Sequence, residues 1–518
     1  MVPRAGCNLE LPNAERTRMS GSLTPARVGV RGHDSAHTLW ITGLIAACAI
    51  GLGLVVAQLG LLAAVVFAGL LAFAAILHDP RRGLIALSVL VPLSASTRMP
   101  HQLLDVPGLN PLNLTMLATL AGLFLLMVFP GTRRPLTLAR LPVPLALLVL
   151  MVLPMVLAAA HGSLSVGLIP ATFRRLVDIS FSDAAGYLRD VLVGPLLTVF
   201  AGLLLGLVLR VDGPVSESRA YLYAPLVGVC ALAVLFLVNA FASLGSLWAM
   251  ADQDARNALA AAAGMHPNEI SLMFNCGLAW ALFTARGAPL RRRVALWAVG
   301  ALMSVASLFT FSRGGFIGML IVLIAYTLEM RRFMWIVAAS AVLAVGALCL
   351  PEAVIERLTT GLAQSDLNAV SGGRVTQIWP LLLPVIGDHW LLGSGMESIL
   401  WSPPVTGGAL VVTQPHNAYL GLLLDYGVIG AVMILSFHIW CWLDLRRLAT
   451  RIEGGALGGV DRAWAQFVRA TSVMLPVLMV QAVTDNRLTP TPSQTLMWLA
   501  IGLAFGLRAR CHDQAVRA

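Results

Sequence analysis

The sequence predicts an all-α, polytopic integral membrane protein with about 12–14 transmembrane helices, and three observations lead there. Of 518 residues 58% are apolar and 12% charged, with a mean hydropathy of +0.82, more apolar surface than a soluble domain can hide. The apolar residues fall in runs of about 18 to 25, the length that crosses a hydrocarbon core of about 30 Å as helix. Arginine clusters separate the runs in alternate loops, the charge pattern of a chain that crosses a bilayer repeatedly.

Taken in order, residues 1–37 read as a cytoplasmic N-terminal tail, because the apolar run that follows, from Thr38 to Leu77, is too long for the apolar core of a signal peptide. Spans are then expected at 39–56, 59–77, 84–96, 112–129, 141–160, 191–209, 221–244, 270–285, 294–311, 314–329, 333–350, 418–443, 470–483 and 495–507. Segments 84–96 and 495–507 are short for a crossing, so each is either re-entrant or lengthened by its flanks.

Arg81 and Arg82, Arg133 and Arg134, Arg291 to Arg293, Arg331 and Arg332, and Arg446 and Arg447 mark the cytoplasmic loops, which puts both termini inside. The outward loops of consequence are then 161–190 and 351–415. The domain order expected is a tail (1–37), helices with short loops (38–350), a large periplasmic loop (351–415), further helices (416–507) and a cytoplasmic tail (508–518). The large loop mixes Gly, Pro, Trp and Ser without low-complexity tracts, as a folded lid does. No internal repeat and no second soluble domain is visible.

All 35 basic residues are arginine and the net charge is +10, but most of that charge is spent on topology, so no nucleic-acid partner is expected. The seven cysteines form no CxxC pair and no Cys/His cluster, which suggests neither a disulfide framework nor a zinc site. Glu352, Glu356, Asp366, Asp388 and Glu397 form no DxD pair, so no metal and no cofactor is expected.

Arginine is costly at membrane depth, and Arg313 interrupts two apolar runs within Ser312-Arg313-Gly314-Gly315 without joining a cytoplasmic cluster. It is either a functional cation or a snorkelling arginine in a tight outer turn; Gly314 and Gly315 would let a backbone or ligand approach closely. Arg374 sits in Ser371-Gly372-Gly373-Arg374, before Trp379, at the expected start of an amphipathic helix with Ile378 and Leu381 or Leu382 on related faces. A solvated loop arginine is the competing reading. His416 and Asn417 stand where the large loop re-enters the membrane, and a histidine there serves either as a base near neutral pH or as a satisfied polar residue.

Taken together, the Ser312-Arg313-Gly314-Gly315 element, Arg374 with Trp379 and Gly393-Ser394-Gly395, and His416-Asn417 followed by Gly427 resemble, in order and placement, the O-antigen ligase and O-antigen polymerase-like family. His266-Pro267-Asn268 is similar to a further polar element of that family. The resemblance covers roughly residues 268–430, and Gly430 stands where ligases commonly carry leucine.

The resemblance implies a GT-C-like helical fold in the bacterial inner membrane with a periplasm-facing site. It implies transfer of a glycan from a polyprenyl-diphosphate carrier (undecaprenyl diphosphate) to a hydroxyl of a lipid core or of another glycan, in lipopolysaccharide or exopolysaccharide assembly. Arg313, Arg374 and His416 are then the expected catalytic residues, the arginines on the diphosphate and the histidine at the acceptor hydroxyl. Ser312, Gly314, Gly315, Asn417 and Trp379 are the expected substrate-binding residues. Arg174, Arg175 and Arg189 in the 161–190 loop are expected at lipid headgroups, with an acidic glycan as the alternative contact. The alternatives are a polysaccharide transporter or flippase, which would place polar groups at mid-membrane where His438 is the main polar residue, and a non-catalytic assembly protein.

Overall fold

The computed structural model describes residues 61–517 apart from 129–142, 212–218, 245–263, 331–367, 456–461 and isolated positions between 95 and 109 and at 178, 369, 370, 372, 485 and 486. The expected tail 1–37, the spans 39–56 and 333–350, and the clusters at Arg133 and Arg331 lie outside the described residues. The chain divides into two units, 1–71 and 72–518. Among the described residues the first holds the opening turns of helix α1 (Leu61–His78), and everything below concerns the second.

The protein is a membrane protein made of helices. After α1 come α2 (Pro80–Leu93), α3 (Pro111–Val128), α4 (Leu145–Ser163), α5 (Gly194–Val211), α6 (Arg219–Leu244), α7 (Pro267–Arg286), α8 (Leu290–Leu308) and α9 (Arg313–Met330). They are followed by α10 (Trp379–Asp388), α11 (Ala418–Glu453), α12 (Arg462–Gln481) and α13 (Thr495–Arg517). Among the described residues six helical segments are long and apolar enough to cross a membrane: α4, the 184–210 segment that includes α5, α6, α9, α11 and α12. One antiparallel pair of two-residue strands, Gln102–Leu103 with Val106–Pro107, joins α2 to α3.

The helices lie on the expected runs, with informative differences at their ends. Segment 495–507 grows into the 23 residues of α13, and 84–96 is replaced by α2, which starts earlier because Asp79 accepts from the Arg81 amide as N-cap. Helix α11 runs to Glu453 instead of ending at 443. Its last stretch carries Arg446, Arg447 and Arg451 on one side but buries Leu445, Leu448, Ala449 and Ile452 on the other, an amphipathic extension that a hydropathy window misses. Helix α12 begins eight residues before the expected 470 for the same reason, with Ala463, Trp464, Phe467 and Val468 buried.

Helix α7 is the core helix, buried on nearly every face against α6, α8, α9 and α12. Four helices then run between two polar ends. At one end Arg286 of α7, Glu329 of α9, Glu453 of α11 and Arg469 of α12 form an ion-pair network, with separations of 3.8 Å (Arg286–Glu329), 3.5 Å (Arg469–Glu329) and 2.8 Å (Arg469–Glu453). The other ends of α7, α9 and α12, at Pro267, Arg313 and Gln481, lie about 18–29 Å from Arg286, Glu329 and Arg469 by helical rise, and the helices themselves are about 27–30 Å long, the span of a hydrocarbon core.

Candidate functional site

The site is built where those helices finish. Helix α8 ends at Leu308, the turn that follows carries Phe311 with φ of 48°, and α9 starts at Arg313. Ser312, 1% exposed, donates its hydroxyl to Asn268 Oδ1 at 2.6 Å and accepts the Gly315 amide at 3.0 Å, so it ties the start of α9 to α7. The Asn275 amide donates to Gly315 O at 2.9 Å and Gln481 Nε2 donates to Gly314 O at 2.9 Å. Glycine is required at 314 and 315 by close approach: a Cβ would lie 2.5 Å from Thr484 Oγ1 at the first and 2.7 Å from Ser271 at the second. Side chains of α7 and of the turn after α12 therefore occupy the space that the sequence reading offered to a ligand.

His266 opens α7 through a capping box: its ring accepts the Asn268 amide at 3.3 Å while Glu269 accepts the His266 amide at 3.1 Å, with Pro267 in the first helical turn. The third polar element of the sequence thus supports the first through Asn268.

In the large loop, Gly373 turns with φ 84° and Arg374 begins a π turn that leads into α10. Ile378 and Leu382 are buried and Leu381 is outward, which fixes the face that the periodicity left between two leucines. The Arg374 guanidinium donates to the Thr484 carbonyl and, at 3.5 Å, to that of His416. Trp379 donates to Pro415 O at 3.0 Å. His416 takes a left-handed φ of 52°, and Asn417 caps α11 by accepting the amides of Tyr419 (2.9 Å) and Leu420 (3.1 Å). The Ala418 amide donates to Ala482 O at 2.8 Å. The starts of α9, α10 and α11 therefore all meet the turn 481–484 at the end of α12.

Helix α11 is broken at Gly427, where φ is 62° and ψ −172°. The loop fills the break: Ser394 and Gly395 amides donate to the carbonyls of Leu424 (2.9 Å) and Asp425 (3.1 Å), and those of Val428 and Ile429 donate to Trp390 (2.8 Å) and Leu391 (3.2 Å). Backbone groups freed at membrane depth are thereby satisfied within the protein.

Beside this break lies a pocket of about 40 Å³, lined among others by Glu397, Gln414, His416, Asn417, Asp425 and Arg487. Its volume holds roughly three waters, and its mouth is open. Arg487 and Glu397 form a two-point ion pair, one contact at 3.0 Å. Burial works against the Arg487 charge, but attraction and hydrogen bonding from Glu397, with the fields of Asp425 and Glu269, outweigh it and raise the pKa above the usual arginine value. Asp425 Oδ1 accepts both the amide (3.0 Å) and the hydroxyl (2.7 Å) of Ser398, and Tyr187 donates to Met396 O at 2.6 Å.

Of the residues singled out from sequence, Ser312, Gly314 and Gly315 shape the start of α9, Trp379 and Asn417 fix the backbone on either side of His416, and the 481–484 turn is met by the Arg374 guanidinium and by Gly314 and Ala418, the chain neighbours of Arg313 and of the His416-Asn417 pair. Arg174 holds its own loop by donating to the carbonyls of Ser182 and Val166, and Arg189 pairs with Asp190 at 2.7 Å. Sequence reading missed Asn275, Gln481, Thr484 and Arg487. For Asn275 and Arg487 a signal was present, since an amide side chain deep in an apolar run and an arginine outside the cytoplasmic clusters are both expensive in a membrane.

A many-helix membrane protein with arginine, histidine and a carboxylate pocket at one end of its bundle is the class that fold and site define. Residues 298–435, from within α8 to within α11, match the family model of the O-antigen ligases. No curated protein matches the chain.

Proposed function

We propose that the protein transfers a glycan from a polyprenyl-diphosphate carrier to a hydroxyl acceptor at the periplasmic face of the bacterial inner membrane, as an integral membrane glycosyltransferase of O-antigen ligase or polymerase type. The observation that carries the reading is the convergence of the segments that carry Arg313, Arg374 and His416, remote in sequence, on the turn at 481–484 within and beside the matched segment. In the reaction the acceptor oxygen forms a bond to the anomeric carbon, the anomeric C–O bond to phosphate breaks, and the electron pair leaves on the carrier diphosphate. Guanidinium suits that leaving group because its charge is permanent and its donors match phosphate oxygens in pairs, and the positive N-terminal end of α9 adds to it. The acceptor proton passes to His416. Charge that develops only on the leaving group is where such residues raise the rate.

The test is glycan transfer in membranes with purified carrier-linked glycan at matched expression. Arg313→Ala, Arg374→Ala and His416→Ala are each expected to lose activity by about 100-fold or more, and Arg313→Lys or Arg374→Lys by at least about tenfold, since lysine offers a point charge without the paired donors. Full activity in the alanine variants would overturn the assignment. A ladder of products names a polymerase, and a single conjugate to lipid core a ligase.

A further inference from the structure

Building on that reading of the site, we infer that the pocket between Glu397 and His416 is the acceptor's sugar subsite, that it takes the hydroxyls of a neutral sugar, and that Glu397, held by Arg487, is the positioning carboxylate that receives them.

Charge separates this pocket from the arginine side of His416. Arg374 reaches the carbonyl of His416, whereas His416 itself lines the pocket, so the residue stands between two environments. Arg487 is the arginine in the pocket wall, and Glu397 offsets it through the two-point pair, with Asp425 behind. Whatever proton Asp425 carries, these three groups offer no net positive charge. A diphosphate gains nothing there. A sugar gains partners, because each Glu397 oxygen keeps a lone pair beyond the one given to Arg487, and Gln414, Asn417 and Thr489 add amide and hydroxyl groups to the same wall.

Backbone strain points the same way. Among the described residues the non-glycine positions with left-handed φ are Phe311, Glu397 and His416, and two of those three line this pocket. Left-handed backbone in a glutamate is unfavourable and persists where the surroundings enforce it, as at sites that pre-position a side chain. Here the enforcement comes from Arg487, from the Ser398 bonds to Asp425 and from the Tyr187 bond to Met396. The volume of about 40 Å³ behind the open mouth admits hydroxyls and the edge of a ring, which suits an acceptor that must present one oxygen to His416.

The experiment uses the full chain in proteoliposomes, with carrier-diphosphate-linked glycan as donor and, as acceptor, lipid A–core or a second carrier-linked glycan, whichever the wild type extends. Glu397→Gln is expected to raise the acceptor KM at least tenfold and leave the donor KM within twofold. It also leaves Arg487 unpaired, so inorganic phosphate should compete with acceptor in this variant and not in the wild type. The double variant Glu397→Gln/Arg487→Gln removes both charges together; it should keep the high acceptor KM and lose the phosphate competition. An acceptor KM within twofold of wild type in both, or a rise in donor KM instead, overturns the inference, as does loss of both variants from the membrane, which would make the pair purely structural. Inactive Arg313→Ala alongside unaffected Glu397 variants would sink the subsite and leave the transferase reading standing. No transfer by the wild type would overturn both.

Discussion

At the scale of single residues the site depends on groups whose work is internal. Ser312 is the clearest case: its hydroxyl links α7 to α9 through Asn268 and Gly315, so Ser312→Ala should cost about 1–2 kcal/mol by leaving Asn268 and an amide short of a partner. The check is a drop in detergent melting temperature with the donor KM little changed; a large rise in donor KM would instead mean direct substrate contact. Gly427 sits in a conformation that essentially only glycine adopts, against the backbone of Leu391 and Gly393. Gly427→Ala is therefore expected to destabilise by about 1–3 kcal/mol or more. Arg313, Arg374 and His416 were legible in the sequence because a cation or imidazole beside an apolar run has few bland explanations. Thr484 and Gln481 were not, since they act through a carbonyl and a carboxamide whose partners are more than a hundred positions away. Nothing local reveals such a pair.

Among the elements, α5 and α13 pack through matched glycines. Gly202 and Gly206 face Gly502 and Gly506 four residues apart on each helix, and a Cβ at Gly202, Gly502 or Gly506 would strike backbone of the opposite helix. Small residues at this spacing let helices approach closely where burying apolar surface from water supplies no drive. Gly502→Leu should force the pair apart at about 1–3 kcal/mol or more, seen as loss of folded protein in detergent, whereas Gly387→Ala, with nothing near its Cβ, should melt with the wild type. The apolar runs that form the described helices were readable from hydropathy because the bilayer sets their length. The ends of α11 and α12 were not, for there the helix leaves the lipid and buries only one stripe.

For the whole molecule, the ion-pair network at Arg286, Glu329, Glu453 and Arg469 and the site at the turn 481–484 stand at opposite ends of shared helices. The arginine clusters at 291–293 and 446–447 belong to the network end, which supports a cytoplasmic network and a periplasmic site. In a chain whose native cysteines are replaced, Ala409→Cys should react with a membrane-impermeant maleimide in intact spheroplasts and Arg447→Cys only after permeabilisation. The reverse pattern would invert the topology and move the site to the wrong side for a periplasmic transferase. The sequence offers an expected orientation because charge distribution alone sets it, and this labelling pattern tests it.

The break in α11 at Gly427 has one more implication. Residues 390–395 supply the turn that the helix lacks, strand for strand, so the loop and the half-helix behind it are a single spliced part, unlike an ordinary surface loop that evolution can exchange freely. Substrate preference should then be portable only as a block. A chimera that receives residues 374–413 of a relative is expected to fail to assemble, while one that also receives 418–430 should fold and acquire the donor's glycan pattern, which can be read directly from the ladder on a gel.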